Sequence, residues 1–110
     1  MSFSSTGHLA HLRQEVLQAL QAQDMSRAQA LLASPPPPGD AMLDQIAARL
    51  YIALCHWEHA ALVLARLDPQ DPQIRLKLSL SRNLAAMKKH RPAIYEIIHH
   101  TPVAGIHHIH

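Results

Sequence analysis

The sequence of 110 residues predicts an all-α fold of about six antiparallel helices, arranged as three stacked helix pairs. Two observations lead to this prediction. Apolar residues recur at three- and four-residue spacing along several segments, as they do in amphipathic helices that bury one face. The chain also resembles itself when it is shifted by about 32 residues, and such periods are typical of stacked helical units.

The composition agrees with a core of packed helices. Apolar residues make up 48% of the chain and aromatic residues only 4%, so Leu, Ile and Ala must fill the core. Charged residues make up 16%, against about 25% in typical soluble domains, which is consistent with a surface that a partner covers. The Lys and Arg residues are scattered along the chain, which argues against a nucleic-acid interface.

The sequence favours a cytoplasmic protein without membrane contact. Its single cysteine, Cys55, excludes an intramolecular disulfide and suits a reducing compartment. Residues 1–7 lack the basic and apolar regions of a secretory signal, and we expect them to be flexible. No run approaches the roughly 20 apolar residues that a membrane span needs.

The first half of the predicted domain, which spans 8–100, contains a helix at 8–23 and a shorter one after a break at 24–26. A proline-rich linker at 34–40 ends the second helix, because prolines cannot donate backbone hydrogen bonds. Asp40 is the predicted N-cap of a third helix. The apolar stripes of these helices are Leu9, Leu12, Val16 and Leu20, then Ala28, Leu31 and Leu32, then Leu43, Ile46, Ala47 and Leu50.

The second half contains three further helices. Trp57 lies near the start of the fourth and is predicted to be a core wedge. The segment 74–81 alternates apolar and polar residues like a strand, but no second strand is predicted to pair with it, so we interpret it as helix. Its helical stripe is Leu76, Leu80, Leu84 and Met87. Pro92 suits the first turn of a final helix.

The internal repeat aligns residues that would hold neighbouring helices together. The shift that places Met25 on Trp57 also places Ala28 on Ala60 and Leu32 on Leu64. A further shift of the same or a slightly greater length places Pro92 or Ala93 under Ala60. The repeating unit is therefore predicted to be a helix pair, present as two fair copies and a degenerate third.

The segment 54–60 resembles the inter-helix turn of a tetratricopeptide repeat, where a large apolar residue precedes a small alanine by three positions. Residues 24–28 look like a second copy, and Pro72 falls where that family usually ends a repeat. Val16 and Ala48 depart from the family, which prefers glycine there. The resemblance covers about 9–100 and implies a right-handed array with a concave groove that binds a peptide or partner helix.

The resemblance also implies which residues line the groove. The third pair leaves two alternatives, Lys77 with Ser81 or Arg75 with Leu78 and Arg82. Each pair would present one basic residue, which favours an acidic partner segment or a C-terminal carboxylate; alternatively, Arg13 and Arg49 are ordinary solvated residues. The predicted partner-binding residues are Arg13, Leu17, Gln21, Met42, Gln45, Arg49, Ile52, Lys77 and Arg82.

Metal binding and catalysis find little support in the sequence. Ten histidines are present, and the last twelve positions hold His99, His100, His107, His108 and His110. They lack acidic or cysteine co-ligands, so we expect no physiological metal site. Cys55, beside His56 and His59, lacks a third orienting group. We expect Cys55 to pack as a small apolar residue, and we expect neither catalysis nor a cofactor.

The predicted function is therefore non-catalytic protein–protein interaction, although three further functions stay open. Residues 83–95 faintly resemble the segment that precedes the catalytic region in bacterial glycosyl-transferring enzymes of the motility accessory type. This resemblance implies a docking module of a larger enzyme, with the tail 101–110 as a linker to a further domain. The chain could equally be a small chaperone for a secreted subunit or a histidine-rich metal binder.

Overall fold

The computed structural model describes residues 2–99, and all regular secondary structure in that range is helical. The helices are α1 (Ser2–Gln21), α2 (Met25–Leu31), α3 (Ala41–Ala53), α4 (Trp57–Leu64), α5 (Pro72–His90) and α6 (92–99). Helix α1 packs on α2 and α3, α3 packs on α4, and α4 packs on α5. The all-α prediction is confirmed for this part of the chain, and the tail 101–110 lies outside it.

Two details of the predicted helices were wrong. Helix α1 begins at Ser2, so the segment expected to be flexible is helical wherever it is described. Helix α5 includes 74–81, as predicted, but Leu76 and Leu80 are exposed. The face that packs on the core carries Ile74 and Leu78 instead. The strand-like alternation arose because both sides of this helix carry apolar residues.

Aspartate side chains fix the start of three helices. The carboxylates of Asp24, Asp40 and Asp71 accept hydrogen bonds from backbone N–H groups in the first turns of α2, α3 and α5. Such a cap satisfies a helix donor that would otherwise lack a partner. The predicted cap at Asp40 is confirmed, with Leu43 N donating over 2.9 Å. Helix α4 starts differently, because its N-cap residue, His56, makes no side-chain capping bond.

The turns after α1 and α3 have the same backbone geometry at equivalent positions of the repeat. Gln23 and Cys55 adopt φ values of 58° and 60°. In both turns the next N–H group reaches back to the carbonyl five residues earlier over 2.8 Å, from Asp24 to Ala19 and from His56 to Tyr51. This pattern is a Schellman motif, which requires a left-handed residue after the helix. The repeat seen in the sequence is therefore present in the backbone.

The third turn departs from this repeat. Helix α5 continues to His90, and its C-cap Arg91 has φ −137°, so no left-handed residue ends it. In α6, Tyr95 N donates to the carbonyl of Arg91 as Ala60 N donates to His56 in α4. Tyr95 therefore occupies the place of Ala60, and the predicted alignment of Ala93 or Pro92 there was wrong.

The core lies between the helix pairs and consists mainly of aliphatic side chains. The aligned alanines Ala28 and Ala60 are completely buried, which allows close approach of neighbouring helices. Most of the predicted apolar stripes reach this core or pack against it. Its buried members are Leu9, Val16, Ala19, Ala28, Leu32, Leu43, Ala47, Ala48, Leu50, Tyr51, Ala60, Val63, Leu64 and Leu67.

Polar contacts tie the proline-rich linker to the helices. The hydroxyl of Tyr51 donates to the carbonyl of Leu32 over 2.8 Å, and burial raises the pKa of Tyr51 to about 12, so the donor stays protonated. The Arg66 guanidinium donates to the carbonyl of Pro36 over 2.6 Å and to Asp44 over 3.1 Å. Because these partners lie on α3, on the linker and after α4, the linker has a fixed path across the core.

Helix α6 is attached through an aromatic contact. Trp57 Nε1 donates to the hydroxyl of Tyr95 over 2.8 Å, and Tyr95 is buried. The Lys88 ammonium lies 5.8 Å from the centre of the Tyr95 ring. Trp57 itself is only partly buried. It therefore bridges α4 and α6 at the edge of the core, and the prediction of a core wedge needs this correction.

Within residues 2–99, none of the helices is long and apolar enough to cross a membrane.

Candidate partner-binding cleft

A cleft of about 280 Å³ lies between α3 and the first two turns of α5. We refer to it as the α3/α5 cleft. Its base is apolar, with contributions from the end of α4, and its rim is polar. The lining residues are Gln45, Ala48, Arg49, Ile52, Leu64, Leu67, Asp71, Gln73, Ile74 and Lys77.

Helical spacing explains why the α3 side chains meet in this cleft. Gln45, Arg49 and Ile52 are separated by four and three residues, so they lie along one side of the helix. The opposite side of α3 carries Leu43, Ala47 and Leu50 and is buried in the core. The cleft residues therefore occupy the exposed border of an amphipathic helix.

The charge of the cleft comes chiefly from Arg49 and Lys77. Neither side chain makes a hydrogen bond or ion pair with any residue in 2–99. Asp71 also lines the cleft, and its carboxylate accepts from Gln73 N over 2.9 Å as the cap of α5. Two cations thus face a cleft whose carboxylate is already occupied by a backbone donor.

Four of the predicted partner-binding residues lie together in this cleft: Gln45, Arg49, Ile52 and Lys77. Met42 is not part of the lining, but it lies one helical turn before Gln45 and is 56% exposed. It extends the α3 side of the cleft with an apolar group.

The three predicted residues of α1 are placed elsewhere. Arg13 donates to Asp40 over 2.6 Å at the start of α3, so its guanidinium is engaged within the fold. Leu17 is partly buried, Gln21 is exposed, and neither lines the cleft. Burial alone would raise the pKa of Asp40, but the bonds from Leu43 N and Arg13 outweigh it and lower that pKa.

The structure distinguishes the two registers left open for α5. Lys77 lines the cleft, whereas Ser81 is completely buried and Leu78 packs against the core. Arg75 and Arg82 are exposed and lie outside the lining. Of the two predicted basic residues on α5, only Lys77 therefore contributes to the cleft.

Sequence reasoning missed the base of the cleft and the first turn of α5. Leu64 and Leu67 belong to the end of α4 and the loop after it, which no periodic stripe connects with α3. Gln73 and Ile74 follow the Asp71–Pro72 helix start, where the two nearby prolines are typical of a loop. These positions meet only through tertiary packing.

No metal centre is formed by the residues that the structure describes, since no group of three or more His, Cys, Asp or Glu side chains converges there. Cys55 Sγ lies 3.8 Å from His99 Nδ1, and the His99 ring stacks on Tyr95 at 5.5 Å. Cys55 is partly buried at the turn. The remaining histidines of the tail, at 100, 107, 108 and 110, lie outside the described residues.

Comparison of this chain with models of protein families, with curated proteins and with solved structures found no match.

Proposed function

We propose that this chain is a non-catalytic protein-interaction module that binds an acidic peptide or partner helix in the α3/α5 cleft. The observation that carries the proposal is the pair of unengaged cations, Arg49 and Lys77, on the rim of an apolar cleft. A partner carboxylate would gain charge-assisted hydrogen bonds there, and an adjacent apolar side chain would cover Ile52 and Ile74.

The same proposal includes the architecture. We infer three stacked pairs, α1/α2, α3/α4 and α5/α6, in an array similar to tetratricopeptide repeats. The repeated left-handed turns at Gln23 and Cys55 support the first two pairs. In such an array α3 and α5 are the first helices of successive pairs, and the cleft between them corresponds to the groove expected from the sequence.

A binding experiment with designed peptides tests this function. A fluorescent amphipathic helical peptide with Glu on its polar face is compared with the same peptide carrying Lys instead. Anisotropy should show binding of the acidic peptide and much weaker binding of the basic one, and added salt should weaken the former. Equal affinity for both peptides would contradict the proposed partner class.

Matched variants locate the site. Arg49→Gln and Lys77→Gln should each weaken binding of the acidic peptide by about fivefold to tenfold, as expected for loss of one charge-assisted contact. Arg82→Gln is the control, because it removes the same kind of charge from α5 outside the cleft. A loss with Arg82→Gln as large as that with Arg49→Gln would mean that the peptide binds elsewhere.

A further inference from the structure

A second and larger cleft, of about 470 Å³, opens at the other end of α5. The first turn of α4 forms one wall with His56, Trp57, Glu58 and His59, and the last turns of α5 form the other with Ala85, Lys88 and Lys89. We refer to it as the α4/α5 cleft. It shares no lining residue with the α3/α5 cleft.

The two clefts are separated by the close crossing of α4 and α5. Lys77 lines the first cleft and Lys88 the second, and Ser81 lies between them on the same helix. Ser81 is completely buried. Because the helices touch at this small residue and diverge on both sides, each end of the contact leaves a separate cleft.

The α4/α5 cleft has a mostly basic lining. Lys88 and Lys89 face a wall that contains two imidazole rings, and Glu58 is the single carboxylate of the lining. Neither lysine forms an ion pair with any residue in the described range. At the corresponding turn of the first helix pair, the place of His56 is taken by the acidic Asp24.

One wall of this cleft is also aromatic and held in place. The Trp57 indole is anchored through its N–H bond to Tyr95, so its ring has a defined orientation at the rim. The Lys88 ammonium lies near the Tyr95 ring, which positions the side chain at the same wall. Flat apolar groups bind against indole rings, and anions bind beside ammonium groups.

We propose that the α4/α5 cleft binds a small molecule or side chain in which a phosphate or carboxylate adjoins a flat apolar group. Lys88 and Lys89 contact the anionic group, and Trp57 contacts the flat group. The volume is within the range of roughly 300 to 1,000 Å³ that small-ligand sites occupy. This site is separate from the proposed peptide cleft and does not depend on that function.

Trp57 is the only tryptophan in the chain, so its fluorescence reports directly on this cleft. The full chain is titrated at constant ionic strength with phenyl phosphate, benzoate and neutral benzyl alcohol. We expect saturable changes in Trp57 emission with at least one of the two anions and weaker binding of the alcohol. The stronger anion identifies the source as phosphate or carboxylate. Equal binding of all three compounds, or no saturable change with either anion, would overturn the proposal.

Variants complete the test. The double variant Lys88→Gln/Lys89→Gln should weaken anion binding by about tenfold, while Lys77→Gln in the other cleft should leave it unchanged. Lys89→Gln alone keeps the Lys88–Tyr95 contact and should weaken binding by a smaller factor. Circular dichroism confirms that each variant is folded. Unchanged affinity in the folded double variant would exclude the lysines as the anion site and refute the proposal.

Discussion

Trp57 and Tyr95 join α4 to α6 through a hydrogen bond of 2.8 Å between the indole N–H and the phenol oxygen. Tyr95 is buried, whereas Trp57 is partly exposed. The pair therefore closes the end of the helical array near α6. It also accounts for the departure of the third turn from the repeat, since a large ring occupies the place that alanine has in α4.

Removal of this pair should destabilise the fold in two different degrees. Trp57→Ala should cost about 3 kcal/mol, the lower end for a large aromatic side chain, because the ring is partly exposed. Tyr95→Phe keeps the ring and removes only the acceptor, so it should cost about 1 kcal/mol. Urea unfolding followed by circular dichroism measures both. Equal losses would show that the hydrogen bond, and not the packing of the rings, dominates.

Ser81→Ala should stabilise the protein. The Ser81 hydroxyl is completely buried and finds no hydrogen-bond partner among the described residues. A buried polar group without a partner costs about 1 to 3 kcal/mol, and alanine also has the higher helix propensity. We therefore expect a gain of about 1 kcal/mol in the free energy of unfolding.

The neighbouring Ser79→Ala is the control for this change. Ser79 is exposed on the same helix, so its substitution changes helix propensity without altering a buried group. Its effect should stay within about 0.5 kcal/mol. Equal gains from both substitutions would assign the stabilisation to propensity alone.

Gln23→Gly should also stabilise the protein. Gln23 holds φ 58° at the end of α1, a conformation that costs an ordinary residue roughly 1 kcal/mol and glycine little. Thermal unfolding should show a gain of up to about 1 kcal/mol. The control Ala53→Gly, inside the last turn of α3, should lower stability by a similar amount. A loss with Gln23→Gly would indicate that the glutamine side chain stabilises the turn.

The repeat was predictable from the sequence because it depends on local rules. Aligned alanines and break residues mark the two turns, and Asp40 marks a helix start. The third turn was not predictable in this way, because its position depends on the contact between Trp57 and Tyr95, which lie far apart in the sequence. The choice of buried face in α5 was likewise decided by packing on α4, since both faces carry leucines.

The candidate cleft was predicted in part for the same reason. Gln45, Arg49 and Ile52 share one side of a single helix, so their proximity follows from spacing. The engagement of Arg13 with Asp40 could not be predicted from spacing, because it joins α1 to the start of α3. The base formed by Leu64 and Leu67 required the tertiary arrangement of α3, α4 and α5.

Asp40→Asn should make the protein less sensitive to acid. Asp40 has a lowered pKa, from an ordinary value of 3.8, so the folded state binds its proton less tightly than the unfolded state does. Its contribution to stability is present above pH 3.8 and is lost as the pH falls through the lower folded value. Asn keeps the capping oxygen but does not titrate.

The comparison is made by urea unfolding between about pH 6 and pH 3. Asp44 opposes this trend, because burial raises its pKa despite the nearby Arg66. Its contribution therefore favours the folded state at low pH and is lost as the pH rises above 3.8. The difference between wild type and Asp40→Asn separates the two groups. If that difference did not shrink as the pH fell, Asp40 would not be the source of the acid sensitivity.

Arg49→Glu should separate binding from stability. Arg49 is exposed and has no ion-pair partner within residues 2–99, so its replacement should change the free energy of unfolding by no more than about 0.5 kcal/mol. The same change reverses the charge of the rim beside Lys77 and should abolish binding of the acidic peptide, because like charges then face each other. Parallel melting and anisotropy measurements test this. A matched loss of stability and affinity would mean that Arg49 is structural, and the α3/α5 cleft would then lose the cation on which its affinity for an acidic partner depends.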